Sequence, residues 1–365
     1  MKAKTEIVPK ALVGLAALSL GISVAQADTL NIVSWGGAYT MSQQRAYHEP
    51  WMEMTGDEIV NIDRSANALA GLRAQAQAGN ITWDLVDILP ADAIIACDEG
   101  LVEPLDHDAL LSAAPDGTLP TADFIEGSLT ECFVPTIVYS NVIGYNTEAF
   151  PADNQPFLME DVFNLEDFPG MRALQKAPIN NLEWALMADG VATEDVYDVL
   201  ETEEGIQRAF AKLDTIKDHV IWWEEGAQPP QLLADGEVVF ASAYNGRLFN
   251  AAVNEGQPFE IIWDKQVFEL DGWVVPKGKL DKVADYLAFS TDTQRLADQA
   301  KYISYGPARA SSASQVSTHA DTGIDMKPHM PTYGPNFATA IQKNDEFWAD
   351  YGDELNQRFN AWLAR

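Results

Sequence analysis

Two segments, LNIVSWGG at residues 30–37 and WDLVDILPA at residues 83–91, enclose the stretch of sequence that decides the fold. Each is a short apolar run followed at once by a loop-forming sequence, and residues 59–62 form a third such run between them. Helical patterns over 41–54 and 66–78 separate the three runs. Repeated strand–helix units of this length predict a parallel sheet with helices on both faces.

Two long extended stretches, at 133–145 and 259–275, predict a second lobe. The region between them, from about 146 to 263, contains its own predicted helix at 202–213 and a turn followed by a strand at 236–240. Two long strands that enclose a separate strand–helix region indicate a chain that enters a second lobe and returns. Lobes joined by paired strands can hinge, and the hinge makes a cleft that closes on a small molecule.

The predicted fold is α/β with two lobes, each a mostly parallel sheet flanked by helices, joined by hinge strands. Ligands of such sheets bind beyond the carboxyl ends of the strands, which here are the loops at 35–37 and 89–91. The predicted division of the chain is a signal peptide at 1–27, lobe 1 at 28–140 and 272–312, and lobe 2 at 141–271 and 313–365.

The first 27 residues have the features of a secretory signal peptide. Lys2, Lys4 and Lys10 make a basic start, residues 11–24 form an apolar run, and AQA at 25–27 supplies a small-x-small cleavage pattern. The apolar run is shorter than the ~20 residues of a membrane-spanning helix, and no later stretch is apolar enough to span a bilayer. We therefore expect an exported protein that is not membrane-embedded, located in the periplasm of a Gram-negative type of cell.

The composition is that of a folded, strongly acidic protein. The chain has 365 residues, 47% of them hydrophobic, which excludes a disordered chain. Asp and Glu number 55 against 23 Lys and Arg, and the formal net charge is −32. Such a charge repels phosphate backbones, so nucleic acid is excluded as a partner, whereas cations are attracted to any acidic cleft. Solubility is the simpler explanation of the acidity.

No enzymatic or metal-binding motif stands out. Cys97 and Cys132 are the two cysteines, and a pair in an exported protein predicts one disulfide, with a metal site or catalytic thiol as the competing interpretation. The five histidines are scattered, so no metal site is predicted. Nucleophile-elbow, phosphate-loop and zinc-protease motifs are missing, and acidic neighbours such as Glu224 and Glu225 arise by chance among 55 carboxylates. We expect neither an enzyme nor a cofactor.

Several short motifs follow one another along the chain. They are Trp35 with Tyr39, WDLV at 83–86, GYN at 144–146, DGEV at 235–238, YNG at 244–246, DGWVVP at 271–276, YGP at 305–307 and Trp348. In this order, over essentially the whole chain after residue 27, they resemble the periplasmic spermidine/putrescine-binding proteins of ABC importers. The resemblance implies a type II periplasmic binding-protein fold, with the ligand clamped between two lobes.

The resemblance also implies which side chains line the cleft. The implied residues are Trp35, Tyr39, Tyr244 and Tyr305 as aromatic walls, Asp271 as the amine-binding carboxylate, and Glu183 as a carboxylate at the start of a second-lobe helix. Asp271 could instead cap a strand end, and Glu183 could be a first-turn residue favoured by the helix dipole. Trp223 is a further candidate, although adjacent tryptophans point opposite ways on a strand and one of the pair with Trp222 is expected in the core.

The sequence departs from the family pattern at the first loop, at Leu89 and Ala91 where polyamine binders have a serine and a tyrosine, and at Glu269 where tryptophan is usual. Arg247 is the most consequential departure, because a cation in the cleft repels a diamine. As a surface residue it would form a weak salt bridge. Facing the cleft, it could bind a carboxylate bidentately, and a zwitterion with its amine on Asp271 becomes possible.

The expected function is that of a monomeric carrier. It would capture a small cationic amine, putrescine- or spermidine-like, in the interlobe cleft and deliver it to an inner-membrane ABC permease complex. One alternative is a binder of a zwitterionic or quaternary amine in the same fold. A second, from another class, is a secreted hydrolase that uses cleft carboxylates, and a third is a sensory module that presents the closed form to a chemoreceptor.

Overall fold

A computed structural model describes residues 1–2 and 27–365 of the chain. The predicted signal peptide at 1–27 therefore lies almost wholly outside the described residues. The strands are β1 Thr29–Ser34, β2 Glu58–Asp63, β3 Leu85–Ile88, β4 Val134–Asn146, β5 Arg172–Gln175, β6 Val220–Trp223, β7 Phe240–Tyr244, β8 Phe259–Val274, β9 Gly306–Pro307 and β10 Ile341–Gln342.

The α-helices surround these strands. They are α1 Gly37–Gln43, α2 Glu49–Thr55, α3 Ala68–Ala78, α4 Pro90–Asp98, α5 His107–Leu110, α6 Pro120–Asp123, α7 Met159–Phe163, α8 Asn181–Ala188, α9 Val196–Leu200, α10 Glu203–Asp214, α11 Gln228–Ala234, α12 Asn245–Phe249, α13 Leu280–Ser290, α14 Thr293–Gln299, α15 Ala310–Gln315, α16 Gly334–Phe337 and α17 Asp345–Leu363. None of the helices in this part of the chain is both long enough and apolar enough to cross a membrane.

The strands pair in the order β2-β1-β3-β8-β4-β7-β5-β6, with β9 added to β4 and β10 to β8. Strands β1, β2 and β3 are parallel, and so are β5, β6 and β7, which matches the strand–helix alternation of the sequence. Between these groups lie the two long strands β4 and β8, which run antiparallel to each other and to their outer neighbours. The predicted α/β class with two long crossing strands is confirmed.

Separate apolar clusters pack on the two sides of the long strands. One side is centred on the fully buried Trp273 and contains Ile32, Leu85 and Leu287. The other contains Phe240, and the last helix α17 packs Phe347, Leu355, Phe359 and Trp362 into it. Each group of parallel strands thus has its own core, as two lobes require. The residue numbers at which the lobes divide stay a prediction.

Two predicted elements differ from the structure. The helix expected at 41–54 begins at Gly37, contains a π-helical turn at Gln44–His48, and ends at Thr55 where Gly56 adopts a φ of 82°. The strand expected at 236–240 begins only at Phe240, because residues 236–238 still bond back to the end of α11: the N–H groups of Glu237 and Val238 donate to the carbonyl of Leu232.

Cys97 and Cys132 form the predicted disulfide, with 5.9 Å between their Cα atoms. Cys97 lies near the end of α4, and Cys132 directly precedes the long strand β4. The bond therefore ties the helix that follows β3 to the strand that leads toward the second lobe.

Candidate functional site

A cleft of about 1340 Å³ lies at the carboxyl ends of the strands, where the two lobes face each other. Its lining comes from the loop after β1, the end of β3, the middle of β4, helix α12, strand β8 and the loop at 302–305. The volume exceeds the ~300–1,000 Å³ of a typical ligand pocket, so the cleft is open.

Six of the eight residues predicted for the cleft line this cavity. They are Trp35, Tyr39, Tyr244, Arg247, Asp271 and Tyr305. They come from both lobes and from the long strand β8, and only the fold brings them together. Glu183 and Trp223 do not line the cavity.

Glu183 lies in the core of the second lobe. It is in the first turn of α8, a helix whose eight residues are all buried. Its Oε1 accepts hydrogen bonds from the Trp348 indole N–H at 2.8 Å and from the Tyr197 hydroxyl at 3.2 Å. Burial raises the pKa of Glu183 to about 7. Its predicted place in the cleft is wrong because this turn of α8 faces the C-terminal helix.

Trp223 is also a core residue. It ends β6, the outermost strand of the sheet, and is 3% exposed. Its indole N–H donates at 3.0 Å to the Oγ of Ser242 on β7, which β5 separates from β6 in the sheet. The adjacent Trp222 packs against Phe359 and Trp362 of α17. Both tryptophans therefore stabilise the second lobe, and the prediction that Trp223 lines the cleft is wrong.

Four tyrosines form a continuous aromatic wall across the cleft. Ring centroids are 6.1 Å apart for Tyr39 and Tyr305, 6.1 Å for Tyr305 and Tyr139, and 6.0 Å for Tyr139 and Tyr244. Tyr139, on β4, was not predicted, because a tyrosine in a long apolar strand is expected in the core. Gly246 completes the wall, because a Cβ there would lie 2.8 Å from the Tyr305 ring.

Asp271 provides a buried carboxylate on the floor of the cleft. It is 5% exposed, lines the cavity, and accepts the backbone N–H of Gly272 at 3.0 Å. Burial and the nearby Asp87 raise the pKa of Asp271 well above its ordinary value. Among the described residues it has no ion-pair partner, so this carboxyl group is free to pair with a cationic ligand, whose charge would favour the ionised form.

Asp87 lies behind Asp271 and was not among the site residues predicted from the sequence. It is fully buried in β3, where it accepts hydrogen bonds from the Tyr39 hydroxyl at 2.9 Å and from Gln43 Nε2 at 2.5 Å. Burial raises the pKa of Asp87 as well. The only signal in the sequence is an acid inside the run LVDIL at 85–89, whose other residues are all apolar.

Arg247 lines the cleft from α12 and is exposed. Within the described part of the chain its guanidinium has no hydrogen bond and no ion pair, so the surface salt bridge considered from the sequence is not formed. Its positive charge lowers the pKa of Tyr244, which burial raises. The other arginine of the lining, Arg45, pairs with Asp321 at 3.3 Å and lies over the Tyr302 ring. Arg247 is thus the unpaired cation of the described lining.

Glu269 is not available to a ligand amine. It pairs with the ammonium of Lys343, and its Oε1 accepts the amide of Asn141 at 2.9 Å. The positive charge of Lys343 is itself stabilised by Glu269 and Asp345, which raise its pKa despite burial. In the described part of the chain, no group of His, Cys, Asp and Glu side chains is arranged to hold a metal ion.

A two-lobed α/β fold with an open cleft lined by aromatic rings and unpaired charges is that of a solute-binding protein. The chain belongs to the family described as bacterial extracellular solute-binding protein, whose sequence model matches residues 46–332. The expectation of an ABC-importer substrate-binding protein, inferred from the resemblance to spermidine/putrescine binders, is confirmed at this level.

Three similar proteins illustrate the range of the family. A γ-aminobutyric acid-binding protein of Pseudomonas aeruginosa is 38% identical over 343 residues, which cover 93% of this chain and 92% of that one. The solved structure of the Atu4243–GABA receptor is 30% identical, with a TM-score of 0.74 and coverage of 92% and 98%. The spermidine/putrescine-binding protein PotD of Streptococcus pneumoniae is 15% identical, with a TM-score of 0.70 and coverage of 92% and 100%, and shows the fold alone.

Proposed function

We propose that this protein is the receptor of an ABC importer for a small ω-amino acid of the γ-aminobutyrate kind. Asp271 would hold the ammonium group and Arg247 the carboxylate, with the tyrosine wall covering the chain between them. The observation that carries the proposal is that the described cleft lining offers one buried carboxylate and one guanidinium, neither of which has an ion-pair partner among the described residues.

The charges of the cleft favour a zwitterion over a diamine. A diamine needs a carboxylate at each end, but Glu269 is already paired with Lys343. Arg247 would also repel the second ammonium group. The relatives support the same choice, since one 38% identical protein and one solved structure at 30% identity carry γ-aminobutyrate in their names.

The interactions are strong enough for a micromolar ligand. An ammonium group about 4 Å from a carboxylate gains ~4 kcal/mol at an effective dielectric constant near 20. A charge-assisted hydrogen-bonded pair at the arginine adds ~1.5–3 kcal/mol, and an aromatic face against the ammonium ~0.5–2 kcal/mol. Desolvation and ordering reduce this sum, and a dissociation constant of 1 μM corresponds to ~8 kcal/mol.

The cellular location and the partner that we propose are those expected for the exported carrier that the sequence predicts. The chain would act in the periplasm after loss of residues 1–27, as a monomer, and would present its closed form to an inner-membrane permease. No catalytic role is proposed, since capture and release require only that closure of the cleft be reversible.

The experiment is a calorimetric comparison of γ-aminobutyrate, putrescine, spermidine and glucose on the mature chain. We expect stoichiometric binding of γ-aminobutyrate with micromolar or lower dissociation constant and weaker binding of both polyamines. The Asp271→Asn variant, which keeps the size of the side chain, should bind γ-aminobutyrate more than about 100-fold more weakly, because the ammonium then loses the carboxylate that faces it in the cleft.

The matched control is Glu58→Gln, an exposed acid on β2 outside the cleft, which should bind as the wild type does. Tighter binding of putrescine or spermidine than of γ-aminobutyrate would indicate that the ligand is a polyamine. Binding of glucose alone, or full affinity in Asp271→Asn, would overturn the proposal. Turnover of any of these compounds would favour the hydrolase.

A further inference from the structure

Asp87 and Asp271 project from the same face of the sheet. In the antiparallel pairing of β3 with β8, Asp87 lies opposite Trp273, and Asp271 is two residues before Trp273. Residues two apart on a strand point to the same face, so the two carboxyl groups are diagonal neighbours across the strand pair. Asp271 faces the cleft, whereas Asp87 is fully buried behind it.

No positive charge compensates this pair within the described residues. Asp87 is contacted by neutral donors only, the Tyr39 hydroxyl and the Gln43 amide, and its Oδ1 has no hydrogen-bond partner. The indole N–H of Trp35 also lies nearby without a partner. The other titratable groups that face the two acids are the buried or half-buried tyrosines Tyr47, Tyr286, Tyr139 and Tyr305. Glu269, two residues before Asp271 on the same face of β8, is paired with Lys343, and Arg247 lines the same cleft without an ion pair to either acid within the described residues.

Two adjacent carboxylates in such surroundings cannot both be ionised at moderate cost, because each is desolvated and each repels the other. Burial raises the pKa of both groups; Asp87 raises the pKa of Asp271 further, whereas the hydrogen bond from Asp271 lowers that of Asp87, so the pair titrates as a unit. One proton on the pair relieves the repulsion and supplies a donor for a carboxyl oxygen. An ammonium group at Asp271 would do the same with its own charge.

Building on the proposed amine-binding function, we propose that Asp87 and Asp271 share one proton in the empty cleft and that the ligand's ammonium replaces it. On binding, the O–H bond of the pair breaks, the proton leaves to solvent, and ammonium N–H groups donate to Asp271. The two carboxyl groups with their shared proton carry a net charge of −1, and the two carboxylates together with the ligand's ammonium also carry −1. Asp87 does not touch the ligand and acts as a positioning residue that sets the pH at which the amine is held.

The exchange couples affinity to pH. A ligand ammonium keeps its own proton below about pH 9, so the carboxyl pair supplies the proton that is released. Apparent affinity should rise with pH, by up to tenfold per pH unit, over the range in which the empty pair is protonated. The amine would be held more weakly on the acid side of this range and more tightly on the alkaline side.

The experiment is titration calorimetry of γ-aminobutyrate at pH 5–8 in buffers that differ in ionisation enthalpy, which counts the protons released. The wild type should release between about 0.5 and 1 proton per ligand in the middle of the range. The Asp87→Asn variant removes the repulsion between the two acids but not the burial of Asp271, so Asp271 should lose its proton at a lower pH than the pair does. The pH dependence of affinity should therefore move to lower pH, and proton release near pH 7–8 should fall. Glu58→Gln should match the wild type in both.

A ligand-free measurement separates this inference from the choice of ligand. Side-chain carboxyl carbon resonances of aspartate, followed by NMR, should show one acid that stays protonated to a higher pH in the wild type than the remaining acid does in Asp87→Asn or in Asp271→Asn. If no amine binds, the proposed function fails and this titration alone decides the shared proton. Binding without proton release, or an identical pH profile in Asp87→Asn, would overturn the exchange.

Discussion

Replacing Arg247 by Gln should change the affinities for two ligand classes in opposite directions. Arg247 is exposed in the cleft and unpaired in the described structure, so its removal breaks no hydrogen bond and no ion pair of the described residues. Loss of a charge-assisted hydrogen-bonded pair with the ligand carboxylate should weaken γ-aminobutyrate by ~1.5–3 kcal/mol, roughly 10- to 150-fold.

The same change should strengthen putrescine. Two positive charges about 6 Å apart repel by ~0.7 kcal/mol in water and ~3 kcal/mol at an effective dielectric constant of 20. Because the guanidinium is exposed, solvent screening favours the lower value, and we expect putrescine to bind roughly threefold to tenfold more tightly. The Arg247→Lys variant keeps the charge but loses the planar fork, so it should bind γ-aminobutyrate at an intermediate level without gaining putrescine.

The assay is calorimetry of both ligands against wild type, Arg247→Gln, Arg247→Lys and Arg73→Gln. Arg73 is an exposed arginine that pairs with Glu99 outside the cleft, and its substitution should leave both affinities unchanged. Equal losses of γ-aminobutyrate and putrescine in Arg247→Gln would indicate a general disturbance of the cleft. An unchanged affinity for γ-aminobutyrate would refute the assignment of Arg247 to the carboxylate.

Three further predictions concern the wall, the disulfide and the buried acid of the second lobe. Gly246→Ala places a methyl group against the Tyr305 ring, so ligand affinity measured by calorimetry should fall roughly tenfold with little loss of stability; unchanged affinity would contradict the role of the wall. The double variant Cys97→Ser, Cys132→Ser opens a 35-residue loop and should lower the free energy of unfolding in urea by ~3–4 kcal/mol, and a midpoint equal to that of the oxidised wild type would contradict this. Burial raises the pKa of Glu183 to about 7, above its unfolded value near 4.3, so the folded state binds an extra proton and loses stability as pH rises between these values. The free energy of unfolding of the wild type relative to Glu183→Gln should therefore fall by up to ~3 kcal/mol from pH 4.5 to pH 7.5, whereas amine affinity stays unchanged in both.

Much of the architecture could be predicted because its signals are local. Short β-branched runs that end in loop-forming residues predicted β1, β2 and β3, and the two long apolar stretches predicted β4 and β8. The errors occurred where the sequence pattern of one element continues although the backbone conformation changes. The π-helical turn at Gln44–His48 interrupts a helix without a sequence break, and the end of α11 continues into residues that favour strand.

The candidate site was predicted less evenly. Trp35 directly follows β1, where the fold class places a ligand-binding loop, whereas Asp271 lies inside β8 and was implied by the resemblance to spermidine/putrescine binders. Glu183 and Trp223 were misplaced because both lie in elements that are buried on all sides. In such an element the sequence does not indicate whether a side chain faces the cleft or the core. Tyr139 was missed for the same reason, since a tyrosine in a long apolar strand is predicted to lie in the core.

The sequence by itself determined the succession of strands and helices, the exported character expected of the chain, and the excess of acidic residues. The first two depend on patterns within short stretches of the chain, and the third depends on composition alone. The tertiary structure alone decided which charges are neutralised. Glu269 is paired by Lys343, 74 residues further on, while Asp271 meets another acid, Asp87, and Arg247 meets no partner in the described chain. Electrostatic energy depends on separation in space and on burial, and neither quantity can be obtained from the order of residues.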